Sequence, residues 1–250
     1  MNDRHTISAC ATFDSLLREH KTAIWGVRML ASSPNAEALT ILLRLHSGLI
    51  RSDDIAFDDA EKIVEIAESM VTQNGFHKMR VNLLIALCSS VEHATKAFFV
   101  DGVINRPQQQ RDWDEIRLAI SNFNSYFENE TSSERYFEVA SDLWNTRTAR
   151  RVPAGRRLVS FILEKCATAK EPLDQKLFNV DDLNEAFTMR NAFVHNGGLP
   201  TPHLKRHGFV AGELMVLAPE LLTRYVVSLK GFNDALLKCT DQITMDDLKV

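Results

Sequence analysis

Apolar residues recur every three or four positions over most of the chain, at roughly 10 to 31, 36 to 48, 57 to 73, 77 to 101, 111 to 127, 133 to 146, 156 to 169, 180 to 196 and 219 to 239. That spacing turns one face of a helix inward. Breakers separate the segments: Ser33-Pro34-Asn35, Asn74-Gly75, Arg106-Pro107, Val152-Pro153 and Glu171-Pro172. The pattern predicts an all-α fold. One segment departs from it. Between Leu204 and Leu217, Gly208-Phe209-Val210 and Leu214-Met215-Val216-Leu217 flank Ala211-Gly212, a composition suited to one small β-hairpin.

Two of the predicted helices carry most of the information. In 77 to 101, Leu84, Leu87, Val91, Ala94 and Phe98 form a continuous apolar stripe, and Cys88, Glu92 and Lys96 lie on a polar flank beside it. Glu92 precedes Lys96 by four residues, the favourable order for a weak surface ion pair. In 180 to 196, Asn179 can cap the start, Asp181 and Asp182 suit the positive end, and Gly197-Gly198 supplies a left-handed stop. Val180, Leu183, Phe187 and Val194 are expected to hold this helix against the core. In the first 75 residues, Trp25, Leu30, Leu39, Leu42, Leu43 and Leu45 have the spacing of core-facing positions.

Composition narrows the class. A chain of 250 residues, 45% hydrophobic, is long enough for one large helical domain or a smaller domain with an extension. No apolar run is expected to span a membrane, and Met1-Asn2-Asp3-Arg4-His5 leads into no signal-peptide core, so a cytoplasmic location is expected. Cys10, Cys88, Cys166 and Cys239 are scattered, without zinc-site or disulfide spacing, and are expected to be buried thiols. No metal site and no cofactor is expected; His203 and His207 flank a loop with Pro202 and Gly208. Phosphate-loop, serine-hydrolase and HExxH signatures are absent.

A net charge of -4 excludes a chain coated in base, but not a local basic groove. Arg147, Arg150, Arg151, Arg156 and Arg157 form an acid-free cluster from 147 to 157, and Lys205 and Arg206 follow the 180 to 196 helix. The cluster fits either a phosphate-tracking loop or a solvated hinge between helices.

The candidate chemistry closes the 180 to 196 helix: Arg190-Asn191-Ala192-Phe193-Val194-His195. Arginine makes a permanently charged, two-pronged contact to phosphate, and histidine is the side chain whose ordinary pKa best suits proton transfer near neutrality. Asn191 and His195 stack on one face, whereas Arg190 and His195 are about 140° apart around the axis. One copy therefore makes a loose site, and a twofold dimer can bring an Arg and a His from each chain around one groove.

Arg190-Asn191-x-x-x-His195 resembles the R-x4-6-H signature of the HEPN superfamily, in the form where Asn follows the Arg. The run from Leu83 to Phe99, with Glu92 among small and apolar residues, is similar to the long first core helix of many HEPN domains. The resemblance covers roughly 77 to 240. It implies a HEPN-like helical bundle over 76 to 241 with an insert near 105 to 175, preceded by a helical extension over 1 to 75 packed on the core. It further implies a dimeric, metal-independent endoribonuclease of toxin or antiviral-defence type. By resemblance Arg190 and His195 are the catalytic pair, Asn191 supports them, and Glu92 is the acidic partner from the other helix. RNA is then the substrate, and an antitoxin or a defence complex the partner. Two alternatives stay open: an inactive HEPN-like module that binds a nucleotide or a partner protein, and a helical scaffold in which Arg190 and His195 are incidental.

Overall fold

The computed structural model describes residues 4–32, 76–105, 138, 154–165, 173–202, 204, 209–210 and 212–240. The helices expected at 36 to 48, 57 to 73 and 111 to 127 lie outside the described residues, as does 133 to 146 apart from Glu138, which is helical. Five helices carry the described architecture: α1 (Arg4–Ser32), α2 (His77–Asn105), α3 (Ala154–Lys165), α4 (Val180–His195) and α5 (Pro219–Cys239). A short 3-10 turn, Gln175–Leu177, leads into α4. No strand occurs among the described residues, so the chain is all-α there.

α2 is the hub, touching α1, α3, α4 and α5. The expected stripe of Leu84, Leu87, Val91, Ala94 and Phe98 is buried, but so are Cys88, Thr95, Ala97, Phe99 and Val100. A helix packed by four others must be apolar around most of its circumference. By length and composition 77–102 suffices to cross a membrane, with a mean hydropathy of 1.4, contrary to the sequence expectation. Within the fold 67% of that window is buried, as in the core helix of a globular protein.

α1 contributes Ala9, Cys10 and Phe13 to the same core. Its N-terminus is fastened to the far end of α2: Asp101, itself buried, accepts bonds from the Thr6 backbone N–H (2.7 Å), the Thr6 hydroxyl (2.6 Å) and His5 Nδ1 (2.7 Å). Trp25, expected in the core, is exposed, because it lies off the stripe through Thr6, Cys10, Phe13 and Leu17. The side chain of Leu30, and Leu39, Leu42, Leu43 and Leu45, lie outside the described residues. Cys10, Cys88 and Cys239 are buried free thiols, as expected, while Cys166 lies outside.

α5 begins with Pro at its first position, where the missing N–H costs nothing. It buries Leu222, Tyr225, Leu229, Phe232 and Leu236. It also fixes the start of α4. Gly231 lies so close to the 3-10 turn that a Cβ there would come within 1.9 Å of the Leu177 carbonyl oxygen. Beside it, Phe178 packs edge-on against Phe232, and Ser228 Oγ accepts the Asn179 N–H at 3.3 Å. α3 docks on the same end of α4: a Cβ on Gly155 would meet Asn184 N at 2.6 Å, and Asn184 Oδ1 accepts the Arg156 N–H at 2.8 Å, capping α3.

The hairpin expected between Leu204 and Leu217 is not formed among the described residues; positions 203, 205–208 and 211 lie outside them. A turn closes through Gly212 (φ 86°), with Glu213 N–H bonded to the Val210 carbonyl at 3.3 Å. The extended segment after it bonds elsewhere: Met215 N–H reaches the Gly198 carbonyl at 2.9 Å, and Leu217 is taken by α2. Tertiary partners have replaced the hairpin ladder.

Gly231→Ala is predicted to lower stability by at least about 2 kcal/mol, because the added methyl meets backbone rather than a movable side chain. Urea denaturation measures this, and an unchanged midpoint would contradict the close approach of α5 to the turn before α4.

Candidate active site

α4 starts and stops by local rules. Asn179 Oδ1 accepts the Asp181 N–H (2.8 Å) and the Asp182 N–H (3.3 Å). At the other end the Ala192 carbonyl accepts from both Asn196 and Gly198, each at 3.0 Å, and Gly197 and Gly198 adopt φ of 59° and 83°. Only glycine takes that conformation without strain. The helix buries Leu183, Glu185, Ala186, Phe187, Met189 and Ala192. Val194, expected to face the core, is exposed: in the last turn the inward positions are Met189, Ala192 and half-buried Phe193.

Arg190 sits where α4 meets α2. Its Nη2 donates to Glu92 Oε2 at 2.8 Å, and the two side chains are only 18% and 21% exposed. Nη1 donates to Asn191 Oδ1 at 3.0 Å, and the guanidinium carbon lies 5.6 Å from the centre of the Phe187 ring, one turn back on α4. Nε is buried with no acceptor among the described residues. Below the pair lies Cys88, whose thiol is pushed up to about 12 by burial, with Arg190 opposing and Glu92 adding to that shift. A thiol so placed is inert packing rather than a nucleophile.

The site residues named from the sequence are therefore brought together in part. Glu92, Arg190 and Asn191 form one connected group. Glu92 is engaged by Arg190, 98 positions away, rather than in the local pair with Lys96. Asn191 turns toward Arg190 and not toward His195. His195 is exposed in the last turn, and its ring makes no hydrogen bond to a described residue. Five residues of helix separate it from Arg190, a rise of about 7.5 Å with a rotation of about 140°. Each terminal nitrogen of Arg190 keeps a second proton with which to meet an anion.

Among the basic residues, Arg156 is exposed with its guanidinium 3.6 Å from Asp181, at the N-terminal end of α4. By helix rise that end is about 13 Å from Arg190 and about 21 Å from His195. Arg157 is half-buried and engaged. Arg147, Arg150, Arg151, Lys205 and Arg206 lie outside the described residues, as do His203 and His207.

Several contributors escaped the sequence reading. Phe187 was assigned to packing alone, although its spacing of three from Arg190 is the signal for a stacked pair. Nearer the start of α4, Arg224 of α5 bridges Asp182 (3.1 Å) and Glu185 (2.5 Å). Burial, and then the neighbouring Glu185 carboxylate, push the Tyr225 hydroxyl well above its ordinary value. This network docks α4 on α5 and leaves the Arg190 face free to meet α2.

A double-mutant cycle of Glu92→Gln with Arg190→Gln is predicted to give a coupling of about 1–3 kcal/mol in unfolding free energy. A coupling within error of zero would contradict the paired geometry. Comparisons of this chain with family models, with curated proteins and with solved structures give no match.

Proposed function

We propose that the chain is a HEPN-type, metal-independent endoribonuclease of toxin or antiviral-defence character, acting in the cytoplasm as a dimer. The observation that carries this reading is the Arg190–Glu92 contact at 2.8 Å, which fixes an arginine of the R-x4-6-H pattern against the acidic residue of the long helix. Glu92 and Phe187 hold the guanidinium plane, and its outward protons meet the phosphoryl oxygens as charge builds on them. His195 handles protons. The RNA 2′-hydroxyl attacks the adjacent phosphorus, its proton passes to a base, the bond from phosphorus to the 5′-oxygen breaks, and that oxygen takes a proton. The products are a cyclic phosphate and a 5′-hydroxyl.

Arg190 and His195 of one copy diverge, so the complete site draws on two copies. Exposed apolar side chains around the turn after α4, among them Val194, Leu199, Leu214 and Val216, support a contact surface there. The two guanidinium bonds already satisfied within the chain favour a second reading, an inactive module that binds a nucleotide or a partner protein.

Arg190→Ala and His195→Ala are each predicted to abolish RNA cleavage, and any toxicity on overexpression, while helical content and a mass of twice 28.3 kDa are retained. Gel assays of labelled RNA with light scattering test this. Full activity in His195→Ala would overturn the nuclease reading, and a monomer mass for the native chain would remove the composite site.

A further inference from the structure

The segment from Gly212 to Ala218 forms a strap across the start of α2 and the turn that ends α4. Alternation along it turns Met215 and Leu217 inward, both buried, and Leu214 and Val216 outward, both exposed. Its backbone is gripped at Leu217 by two side chains from the first turn of α2. The Leu217 N–H donates to His77 Nδ1 at 3.1 Å, and the Leu217 carbonyl accepts from Arg80 Nε at 2.6 Å. Two residues earlier the strap holds the Gly198 carbonyl through the Met215 N–H. One line of contacts thus runs from His77 through Leu217 and Met215 to the Gly197-Gly198 turn behind His195. Phe76, just before His77, adopts φ of 66°, a left-handed conformation that a bulky residue holds only under constraint.

An imidazole nitrogen accepts an N–H only while it carries no proton; the imidazolium offers donors on both nitrogens and repels the Leu217 N–H. We propose that His77 is an acid-sensitive latch: protonation of Nδ1 breaks its bond to Leu217 and shifts the strap toward opening from α2 and from the turn that ends α4, against the Arg80 and Gly198 bonds that remain. Among the described residues, the groups facing His77 are Arg80 on its own helix, whose guanidinium disfavours a second cation, the uncharged Phe193 ring from α4 with centroids 5.8 Å apart, and the Leu217 amide. Lys78 beside it is exposed, and the charge of Glu220, in the first turn of α5, acts on Arg80.

Burial, and then the Arg80 charge, lower the His77 pKa below its ordinary 6.5. The unfolded or unlatched chain therefore binds the proton first. The latch is fully closed above the ordinary value and opens as pH falls through 6.5 toward the lower folded value. Opening uncovers Met215 and Leu217 beside the already exposed Leu214 and Val216, enlarging the apolar surface next to His195. The latch stands whether or not the site cleaves RNA.

Amide-resolved NMR of the full chain, titrated from about pH 7.5 to about pH 5, tests the inference. Met215 and Leu217 amide protection, corrected for intrinsic exchange, is expected to fall about tenfold as the His77 ring titrates. In His77→Asn the amide oxygen replaces Nδ1 as acceptor and does not titrate, so protection persists across the range. Unchanged protection of Leu217 and Met215 while the native His77 ring protonates would overturn the latch, and so would the same acid-induced loss in His77→Asn. The native titration decides by itself if the variant does not fold.

Discussion

A helix packed by four others leaves the charged groups on its inward faces little water, so each of those must draw a partner to it. α2 is that helix, and three charged residues along it organise the rest. Arg80, 8% exposed, takes the Leu217 carbonyl and brings in the strap. Glu92 takes Arg190 and sets the position of α4. Asp101, 2% exposed, takes the start of α1 through Thr6 and His5. Apolar packing supplies the cohesion, while these directional contacts choose the register at which each element docks.

The same arrangement bears on reactivity. Glu92 neutralises part of the Arg190 charge and orients its plane, and the Phe187 ring blocks one face of it. A guanidinium so restrained loses little further freedom when it binds a phosphate. His195 has the opposite character, exposed on the last turn and set apart from Arg190 around the helix axis. The asymmetry of a held arginine and an open histidine is what makes a second copy, or another partner surface, necessary to the proposed chemistry.

Legibility from the sequence followed the range of the interactions. The Asn179 cap, the Gly197-Gly198 stop and the bounds of α5 were readable because their causes lie within a few residues. The buried stripe of α2 was readable too, but its full breadth was not, since that depends on four packed neighbours. The residues of Glu92 suggested a local pair with Lys96; its actual partner lies 98 positions away, and only the family resemblance pointed to a role with Arg190. The His77–Arg80 grip was invisible because its target is the backbone of Leu217, which no side-chain pattern encodes. Val194 follows apolar spacing yet faces solvent, because periodicity cannot tell where a core ends, while Trp25 is apolar in type but lies off the buried stripe of α1.

The central claim is that this helix end carries out metal-free transesterification using the RNA 2′-hydroxyl. Its most direct test is mass spectrometry of the ends released from a short single-stranded RNA treated with the purified chain in excess chelator, beside the same oligonucleotide with a 2′-deoxy sugar at the cleaved position. The account predicts a 2′,3′-cyclic phosphate and a 5′-hydroxyl from the RNA and no cut at the deoxy position. Cleavage that requires added magnesium or manganese, that leaves a 5′-phosphate, or that proceeds through the deoxy sugar would contradict it.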